Sequence, residues 1–424
     1  MAVPGRLRRV LRGGGYPGNV NTTSLRTIPT DDRAWLLAGL ADALDGGAPI
    51  LPVGSGTAPS YVQHLQQRPL PDGTAVLVRT SGSSGVPKTV ALSAEALRVS
   101  ARAAHEALGG DGQWLLNLPA HLISGLQILV RSVVLGQEPV FVDGPFDPAR
   151  LLDAADRMSH ERRYVSLVPV QLSRLLELAE ADAGAAETLR GFAGVLVGGQ
   201  STPLGLRQRA HELGVPLRRS YGMTETAGGC VYDGVEIGDT RVRIRDGEVQ
   251  VSGSCLALGY IRDPELTGDR FIEEDGTRWY RTGDAGRLLG GVLEVTGRLD
   301  RVIVSGGVNV SLDEIERRLE GVPGWTGAVV LGLPDDEWGE RPVLVRELAD
   351  AAGGRSFDEV RAELRAALGA AAVPERVIEV DEMPRLAGGK PDLRRLRAEH
   401  RPAPGGDPAA DPRSIAAARD GDPS

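Results

Sequence analysis

The chain has 424 residues, of which 41% are apolar and 25% are charged, and its formal net charge is −9. These values are typical of a soluble globular protein of two to three domains, and the acidic balance argues against a general binder of nucleic acid or of membrane surfaces. No segment approaches ~18 consecutive apolar residues, so we expect no transmembrane helix and no stable membrane association. The basic N-terminus lacks the apolar stretch of a secretory signal.

Predicted helices and strands alternate through most of the chain, which predicts an α/β fold in which helices cover a parallel or mixed sheet. Apolar spacing near 3.6 residues predicts helices over 32–44, 94–108, 126–135, 148–158, 170–181 and 204–213. Short apolar runs predict strands over 75–78, 89–92, 114–118, 140–142, 164–167, 194–197 and 216–220.

The pattern changes near residue 235 and again near residue 300. Short strands at 242–244, 249–252, 279–281 and 293–295 predict a β-rich subdomain. A small α+β segment follows, with strands at 327–332, 343–347 and 376–380 and a helix at 357–368. Its first helix begins at Ser311, and Glu314 three residues later predicts a capping box.

These changes predict a large N-terminal domain of helix-covered mixed sheets plus a β-rich subdomain, and a small, mobile α+β C-terminal domain. The predicted divisions are a flexible N-terminus (1–23), the N-terminal domain (24–297), a hinge (298–302), the C-terminal domain (303–400) and a disordered tail (401–424).

The two cysteines, Cys230 and Cys255, form no disulfide framework, and no cluster of Cys and His suggests a zinc site. A single disulfide between them stays open, although free thiols in a reducing compartment are the favoured alternative. We therefore expect a cytoplasmic protein.

Only two lysines occur, Lys88 and Lys390, and the rest of the 48 basic residues are arginines. Lysine should persist where a compact ammonium is needed and a planar guanidinium does not fit, although a composition bias with two chance survivors is the alternative. Both lysines follow glycine-bearing loops, where backbone can approach an anion closely. We interpret them as anion-binding lysines of one active site.

Residues 80–88 form a Ser/Gly-rich loop with the sequence TSGSSGVPK. Its hydroxyl and backbone N–H groups are suited to wrapping a polyphosphate, and Lys88 adds a point charge. The loop is not that of a P-loop nucleotidase, because Pro87 separates Gly from Lys and a strand follows. A flexible hairpin is the alternative for a Ser/Gly loop, but the ordered string makes it the weaker one.

This loop resembles the phosphate loop of the acyl-adenylate-forming superfamily, which contains acyl- and aryl-CoA ligases, peptide-synthetase adenylation domains and luciferases. Further motifs resemble that family in the same order over roughly residues 30–400. They are GGQ at 198–200, SYGMTE at 220–225, YRTGD at 280–284, GRLDR at 297–301 and GGK at 388–390.

The resemblance implies an ATP-dependent, AMP-forming acid–thiol ligase that uses ATP, Mg²⁺ and coenzyme A with a small carboxylic acid. It implies catalytic roles for Lys390, Thr224, Glu225 and Lys88, with Glu225 as the metal ligand. It implies that ATP or AMP is bound by Thr80, Ser81, Gly82, Ser83, Ser84, Gly85, Lys88, Gly198, Gly199, Gln200, Ser220, Tyr221, Gly222, Met223, Thr224, Asp284 and Arg298. It also implies a hinge at Asp300 and a CoA-side loop at Ser305, Gly306 and Gly307.

Within the superfamily, the chain most resembles the short o-succinylbenzoate–CoA ligases of menaquinone biosynthesis in actinobacteria. Only 79 residues precede the phosphate loop, and the resemblance lies in LNLPAH (116–121), SGL (124–126), LVRS (129–132) and TETAGGCVYDG (224–234). It implies an acid pocket lined by His121, Ser124, Gly125, Gly222, Gly228 and Gly229. Arg131 and Arg219 are both candidates for the second carboxylate of a dianionic acid.

Two departures and several alternatives remain. Thr89 replaces a glycine that often follows the phosphate-loop lysine, and residues 302–304 (VIV) lack a lysine that many members carry there, which puts CoA-phosphate contacts in doubt.

The alternatives are a ligase for another aryl or acyl acid, an enzyme that loads a carrier protein, and a nucleotide-binding pseudo-enzyme. His121 is equally compatible with a loop histidine satisfied by backbone. The oligomeric state stays open, with a homodimer as one alternative.

Overall fold

A computed structural model describes residues 24–66, 69–80, 88–351, 353–386 and 389–401. The expectations for residues 1–23, for loop residues 81–87 and for the tail after Arg401 lie outside this part. The described chain forms two units. The first contains residues 24–282, 286–295 and 389–390, and the second contains residues 283–285, 296–386 and 391–401, each within the described ranges.

The first unit contains a seven-stranded mixed sheet in the order β11-β10-β9-β8-β7-β5-β6. Its strands β5 to β9 pair in parallel, and β10 and β11 are antiparallel. Their bounds are β5 (Gln113–Leu116), β6 (Val140–Phe141), β7 (Arg163–Leu167), β8 (Gly194–Gly198), β9 (Leu217–Met223), β10 (Gly228–Tyr232) and β11 (Val235–Glu236). The prediction of a helix-covered mixed sheet is confirmed.

A second sheet of this unit has the order β1-β2-β3-β4-β14. Its strands are β1 (Arg26–Pro29), β2 (Ile50–Val53), β3 (Thr74–Thr80), β4 (Lys88–Ser93) and β14 (Gly259–Tyr260). The β-rich subdomain forms a third sheet, β12 (Arg241–Arg245), β13 (Glu248–Ser252), β16 (Thr277–Leu289) and β15 (Phe271–Glu274), with β17 (Val292–Arg298) on β16.

Side-chain alternation along the parallel strands supplies two cores, one on each face of the seven-stranded sheet. Trp114 and Tyr164 enter one core, whereas their neighbours Leu115 and Val165 enter the other. Both faces therefore need helices to cover them. The helices of the first unit are α1 (Arg33–Leu44), α2 (Pro59–Gln66), α3 (Ala94–Ala107), α4 (Ile123–Leu135), α5 (Pro148–Asp156), α6 (Pro169–Ala181), α7 (Ala183–Arg190), α8 (Leu204–Glu212) and α9 (Pro264–Arg270).

The second unit is α+β, as predicted. Its sheet has the order β19-β18-β21-β20, with β22 parallel to β21. The strands are β18 (Val302–Ser305), β19 (Val308–Ser311), β20 (Val329–Asp335), β21 (Gly339–Glu347) and β22 (Val377–Val380). The helices are α10 (Leu312–Leu319), α11 (Phe357–Leu368) and α12 (Leu393–His400). In the part of the chain that the structure describes, no helix has the length and apolarity of a membrane span.

Helix starts in the second unit follow local capping chemistry, with one correction. Ser311 caps α10 as predicted, because its hydroxyl accepts from the Glu314 N–H (3.3 Å). The capping box predicted there is wrong in its second half, since the Glu314 carboxylate pairs with Arg317 and Arg318 instead. A complete box starts α11, where the Glu359 carboxylate accepts from the Ser356 N–H (2.8 Å).

Strand β9 approaches β10 so closely that no side chain fits at Gly222. Gly222 pairs with Gly229, and a methyl group on Gly222 would lie 2.1 Å from the carbonyl oxygen of Gly228. That neighbour is backbone of the same sheet, so relief of the clash would have to separate two paired strands.

Gly222→Ala should therefore lower the free energy of unfolding by about 3 kcal/mol, since overpacking against fixed backbone strains the sheet. Denaturant unfolding followed by tryptophan fluorescence measures the change. Gly205→Ala is the matched control, because Gly205 lies in α8 with no atom within 4 Å of the added methyl group. A Gly222→Ala protein as stable as the control would contradict the close-approach interpretation.

Candidate active site

The parallel pairing of β8 with β9 brings two of the sequence motifs together. Gly198 pairs with Ser220, and a methyl group on Gly198 would lie 2.8 Å from the Ser220 carbonyl oxygen. Gly199 then turns the chain with φ of +82° and leads into Gln200. Tyr221 follows Ser220 on β9 and is half-buried. Because ligands of open α/β sheets bind beyond the carboxyl ends of such strands, this edge is a candidate nucleotide site.

A tight turn after β9 holds Thr224 and Glu225. Thr226 stabilises this turn, since its hydroxyl lies 3.1 and 2.8 Å from the Met223 and Gly228 carbonyl oxygens, to which its single proton can be donated, and accepts from the Met223 N–H (3.0 Å). Ala227 has φ of +50°, which costs a non-glycine residue about 1–2 kcal/mol. Its carbonyl group accepts hydrogen bonds from Ser100 (3.0 Å) and Gln127. The strained turn is therefore held from several sides.

The Glu225 carboxylate is held by a tyrosine. The hydroxyl of Tyr260, on β14, donates to Glu225 Oε1 (2.8 Å), and the Tyr280 hydroxyl lies 3.2 Å from that of Tyr260. Burial raises the pKa of both phenols, and the charge of Glu225 acts in the same direction. Both phenols therefore remain protonated and available as donors near neutral pH.

Lys88 stands at the base of the phosphate loop, paired with Thr80 across β3 and β4. Its Nζ lies 5.5 Å from the centre of the Tyr260 ring, over the face of that ring. Thr89, the residue that departs from the family pattern, is buried, and its hydroxyl lies 2.5 Å from that of Tyr61. The predicted ligands Ser81, Gly82, Ser83, Ser84 and Gly85 lie outside the described residues.

Helix α4 starts three residues earlier than predicted, at Ile123, so it includes Ser124 and Gly125. Ser124 is exposed, whereas a methyl group on Gly125 would lie 2.4 Å from the Pro119 carbonyl oxygen. Gln127 follows on the same helix and lies against Gly228. The helix therefore contacts the turn after β9 through Gln127, and Arg131, four residues later on the same helix, contacts Tyr232 on β10.

The structure separates the two arginine candidates. Arg131 is 3% exposed, its NH2 group lies 3.3 Å from the Tyr232 hydroxyl, and its guanidinium stacks on Trp114 at 4.5 Å. Within the described chain its Nε has no hydrogen-bond partner, and no carboxylate is paired with it. Arg219 is exposed and already pairs with Asp233 (3.2 Å).

Of the glycines predicted to line the acid pocket, Gly229 lies beside Tyr232, the residue whose hydroxyl contacts Arg131. A methyl group on Gly229 would lie 2.2 Å from Ser220 Oγ and 2.9 Å from Cε1 of Tyr232. Gly222, by contrast, meets backbone, so its missing side chain serves strand pairing. Gly229 and Gly228 therefore border Tyr232 and Gln127 respectively, and Arg131 lies behind Tyr232.

His121 packs against Gly54, where a methyl group would lie 2.8 Å from the His121 ring. Its Nδ1 is buried without a hydrogen-bond partner in the described chain, and burial lowers the pKa of the ring. The alternative that His121 is a loop histidine hydrogen-bonded to backbone is therefore not supported at Nδ1. A neutral imidazole with an unused nitrogen is suited to a polar ligand group.

Asp284, Arg298 and Asp300 lie together in the second unit. Arg298 NH1 lies 2.9 Å from Asp284, and Arg298 Nε and NH2 both lie 3.1 Å from Asp300. The backbone N–H of Arg298 also donates to Asp313 (2.5 Å). One guanidinium thus joins the predicted ribose ligand to the predicted hinge residue.

The predicted CoA-side loop is a tight hairpin turn between β18 and β19. Gly306 and Gly307 have φ of +56° and +78°, and a methyl group on Gly306 would lie 2.6 Å from the Trp338 ring. Ser305 is fully buried, and its hydroxyl has no hydrogen-bond partner among the described residues. Lys390 is exposed and, with Gly389, groups with the first unit, whereas its flanking segments group with the second.

Sequence analysis assigned no role to Tyr260, Tyr280, Trp114 or Gln127. A weak signal existed, because aromatic residues make up only 4% of the chain and seven are tyrosines. In so aromatic-poor a chain, each tyrosine beside a motif is a reasonable candidate for a specific contact. The contacts of Tyr260 with Tyr280 and of Gln127 with Ala227 join residues 20 and 100 positions apart, and nothing in a local pattern predicts them.

Comparison with known protein families shows the class of protein to which the chain belongs. The model of the AMP-binding enzyme family matches residues 30–261, and that of the AMP-binding enzyme C-terminal domain matches residues 314–390. The chain belongs to the AMP-binding enzyme family.

Similar proteins within the family share a name. A protein of Mycobacterium tuberculosis named probable 2-succinylbenzoate–CoA ligase is 38% identical over 366 residues, 85% of this chain and 93% of that protein. The 2-succinylbenzoate–CoA ligase of Geobacillus kaustophilus is 32% identical over 84% of this chain and 76% of its own length. The solved o-succinylbenzoate CoA synthetase of Bacillus subtilis, in complex with the acyl-adenylate intermediate OSB-AMP, is 26% identical with a TM-score of 0.69, covering 88% of this chain and 87% of that one.

A buried histidine next to Arg131 makes the stability of the site pH-dependent. His105 Nε2 accepts from the Trp114 indole N–H (3.0 Å), and burial, together with the charge of Arg131, lowers the pKa of His105 from 6.5 to about 4. The unfolded chain therefore binds a proton first as the pH falls, so stability that is complete above pH 6.5 is lost between pH 6.5 and 4.

Because the unfolded chain binds a proton at His105 and the folded chain does not, the free energy of unfolding should fall by about 2 kcal/mol between pH 7 and pH 5. Denaturant unfolding at both pH values measures this loss. His105→Gln, which keeps an acceptor but does not titrate, should show a pH dependence smaller by that amount. Equal pH dependence in the two proteins would mean that His105 does not stay neutral in the folded state.

Proposed function

We propose that this protein is an ATP-dependent acid–CoA ligase that converts o-succinylbenzoate to its acyl-adenylate and then to the CoA thioester, a step of menaquinone biosynthesis. The observation that carries the choice of acid is the buried Arg131, which has no carboxylate partner in the described chain. A buried charge without a counter-ion costs several kcal/mol, and a ligand carboxylate would offset that cost. The names of the relatives support the same acid.

The first half-reaction is an in-line displacement. The acid carboxylate attacks the α-phosphorus of ATP, and pyrophosphate leaves. Tyr221 and the 198–200 turn are suited to the adenine, and Asp284 to the ribose hydroxyls. Thr224 offers its hydroxyl to the α-phosphate, and Lys88 and Lys390 neutralise charge that develops on the phosphates, so catalysis is mostly positioning and electrostatic stabilisation. In the second half-reaction the CoA thiol attacks the acyl carbon and AMP leaves, with the 305–307 turn on the CoA side and Asp300 as hinge.

Glu225 would hold the Mg²⁺ of the nucleotide. The described chain contains no group of three or more His, Cys, Asp or Glu side chains that could form a protein cage for a metal. A single carboxylate fits Mg²⁺, which usually binds one or two carboxylates together with substrate phosphates and water. When bound, the ion would neutralise phosphate charge. Because ATP and CoA are cytoplasmic metabolites, we also propose a cytoplasmic location. The proposed mechanism uses residues of one chain and does not require a second subunit.

The experiment that tests the proposal is acid-dependent pyrophosphate release with a panel of aryl and acyl acids, followed by detection of the CoA thioester. Release confined to o-succinylbenzoate supports it. Preference for another acid, or transfer to a carrier protein rather than CoA, would assign the enzyme to one of the alternatives. ATP binding without any turnover would indicate a pseudo-enzyme.

Arg131→Lys and Arg131→Met should raise the KM for o-succinylbenzoate about 10- to 100-fold, because each loses a charge-assisted bidentate contact. The KM for ATP should not change. With an analogue whose second carboxylate is replaced by a neutral group, the wild type and the variants should behave alike. Arg219→Met is the matched control, and a larger effect there than at Arg131 would reverse the assignment. Melting temperatures establish that each variant folds.

Lys390→Ala should reduce adenylation by about 100-fold or more, since it removes a cation that stabilises the transition state. Formation of the thioester from supplied acyl-adenylate should be spared. Pyrophosphate release and chromatography of the thioester measure the two steps separately. Arg395→Ala is the control, because Arg395 is exposed and its guanidinium pairs with Glu399, one turn later on the same helix (2.8 Å). Parallel loss of both steps would contradict a role confined to adenylation.

A further inference from the structure

Tyr260 lies between two groups that the proposed mechanism uses. Its hydroxyl donates to Glu225 Oε1 (2.8 Å), and its ring lies under Lys88 Nζ at 5.5 Å. No sequence motif suggested either contact. A single side chain thus touches both the proposed metal ligand and the proposed phosphate-loop cation.

The direction of the hydrogen bonds follows from the number of protons. A phenol carries one proton, and that of Tyr260 is donated to Glu225 Oε1. The bond between the two tyrosines (3.2 Å) must therefore run from Tyr280 to the Tyr260 oxygen. Tyr280 therefore donates to Tyr260, and Tyr260 donates to Glu225. Hydrogen bonds in such a chain polarise one another, so each bond is stronger than it would be alone.

The backbone around Tyr260 connects the same two groups. Tyr260 pairs with Val90 on the strand that begins at Lys88, and Ile261 N–H donates to the Thr89 carbonyl group (2.8 Å). Three residues before Tyr260, the Ala257 N–H donates to the Glu225 carbonyl group (2.8 Å). The segment 257–261 therefore holds both Glu225 and the Lys88 strand through main-chain bonds.

Packing keeps both phenol rings in place. Phe271 lies between them, with ring centres 5.9 Å from Tyr260 and 4.8 Å from Tyr280. Arg278 stacks on Phe271 at 4.4 Å and donates to the carbonyl groups of Ala257 (2.7 Å) and Leu258 (3.0 Å). The cluster is buried, so a rotation of either phenol would need several neighbours to move.

We propose that Tyr260, supported by Tyr280, is a positioning residue that binds one oxygen of Glu225, leaves the other for the metal–nucleotide, and sets its placement relative to Lys88. The inference rests on the proposed function only in that Glu225 receives the metal of a bound nucleotide. It predicts that the Tyr260 hydroxyl contributes to nucleotide affinity only when a metal is present, whereas the ring contributes in both conditions through Lys88.

The test is calorimetric measurement of ATP affinity in Mg²⁺ and in EDTA. Tyr260→Phe keeps the ring and should weaken binding about tenfold in Mg²⁺, the effect of one lost hydrogen bond to a charged group, with no change in EDTA. Tyr280→Phe should weaken binding about threefold in Mg²⁺ alone. Tyr260→Leu should weaken binding in both conditions. Tyr164→Phe is the matched control, since it removes a hydroxyl of the seven-stranded sheet that donates to the Gly110 carbonyl group (2.9 Å), and it should change neither affinity.

Equal losses in Mg²⁺ and EDTA for Tyr260→Phe, or no loss at all, would overturn the inference. A metal-specific loss confirms it even when no acid on the panel releases pyrophosphate, in which case the proposed function alone fails. Wild-type turnover of o-succinylbenzoate without a metal-specific effect of Tyr260→Phe would leave the proposed function standing and exclude the positioning role.

Discussion

The register of strand β9 between β8 and β10 is the constraint on which the candidate site depends. On one side of β9, Gly198 pairs with Ser220, and a side chain on Gly198 would clash with the Ser220 carbonyl oxygen. On the other side, Gly222 pairs with Gly229, and a side chain on Gly222 would clash with the backbone of Gly228 and Gly229. A slip of one residue would reverse the faces of β9 and separate the turn at residues 198–200 from the turn that carries Glu225. The glycines are therefore needed for the alignment of the site as well as for the fold.

The turn that follows β9 contains a strained residue, Ala227, whose conformation is stabilised by hydrogen bonds from two helices. The left-handed backbone at Ala227 is held by Ser100 and Gln127, which come from two helices that cover the sheet. Strain of this kind persists only where surrounding contacts over-determine the conformation. The position of Thr224 and Glu225 is thus set by helices α3 and α4 as much as by the turn itself.

Two residues of the predicted acid pocket, Arg131 and His121, each have a buried nitrogen without a hydrogen-bond partner in the described chain. They are among several buried polar atoms of the first unit that lack such a partner. Buried polar groups in proteins are nearly always paired, so these two nitrogens are consistent with the ligand contacts proposed for Arg131 and His121. Arg131 differs from the exposed Arg219 in that it is buried against Trp114, which is the basis of the proposal that it binds a carboxylate away from water.

The sequence alone determined the α/β class, the β-rich subdomain, the second α+β unit and the order of the motifs, because periodicity, glycine turns and caps are local properties. It missed short elements such as α2, α7 and β14, whose few residues carry too little pattern. Only the tertiary structure decided that Arg131 is buried while Arg219 pairs with Asp233, and that Tyr260 joins Glu225 to Lys88. These contacts depend on how elements far apart in sequence pack, since burial and the choice of a partner are properties of the assembled fold.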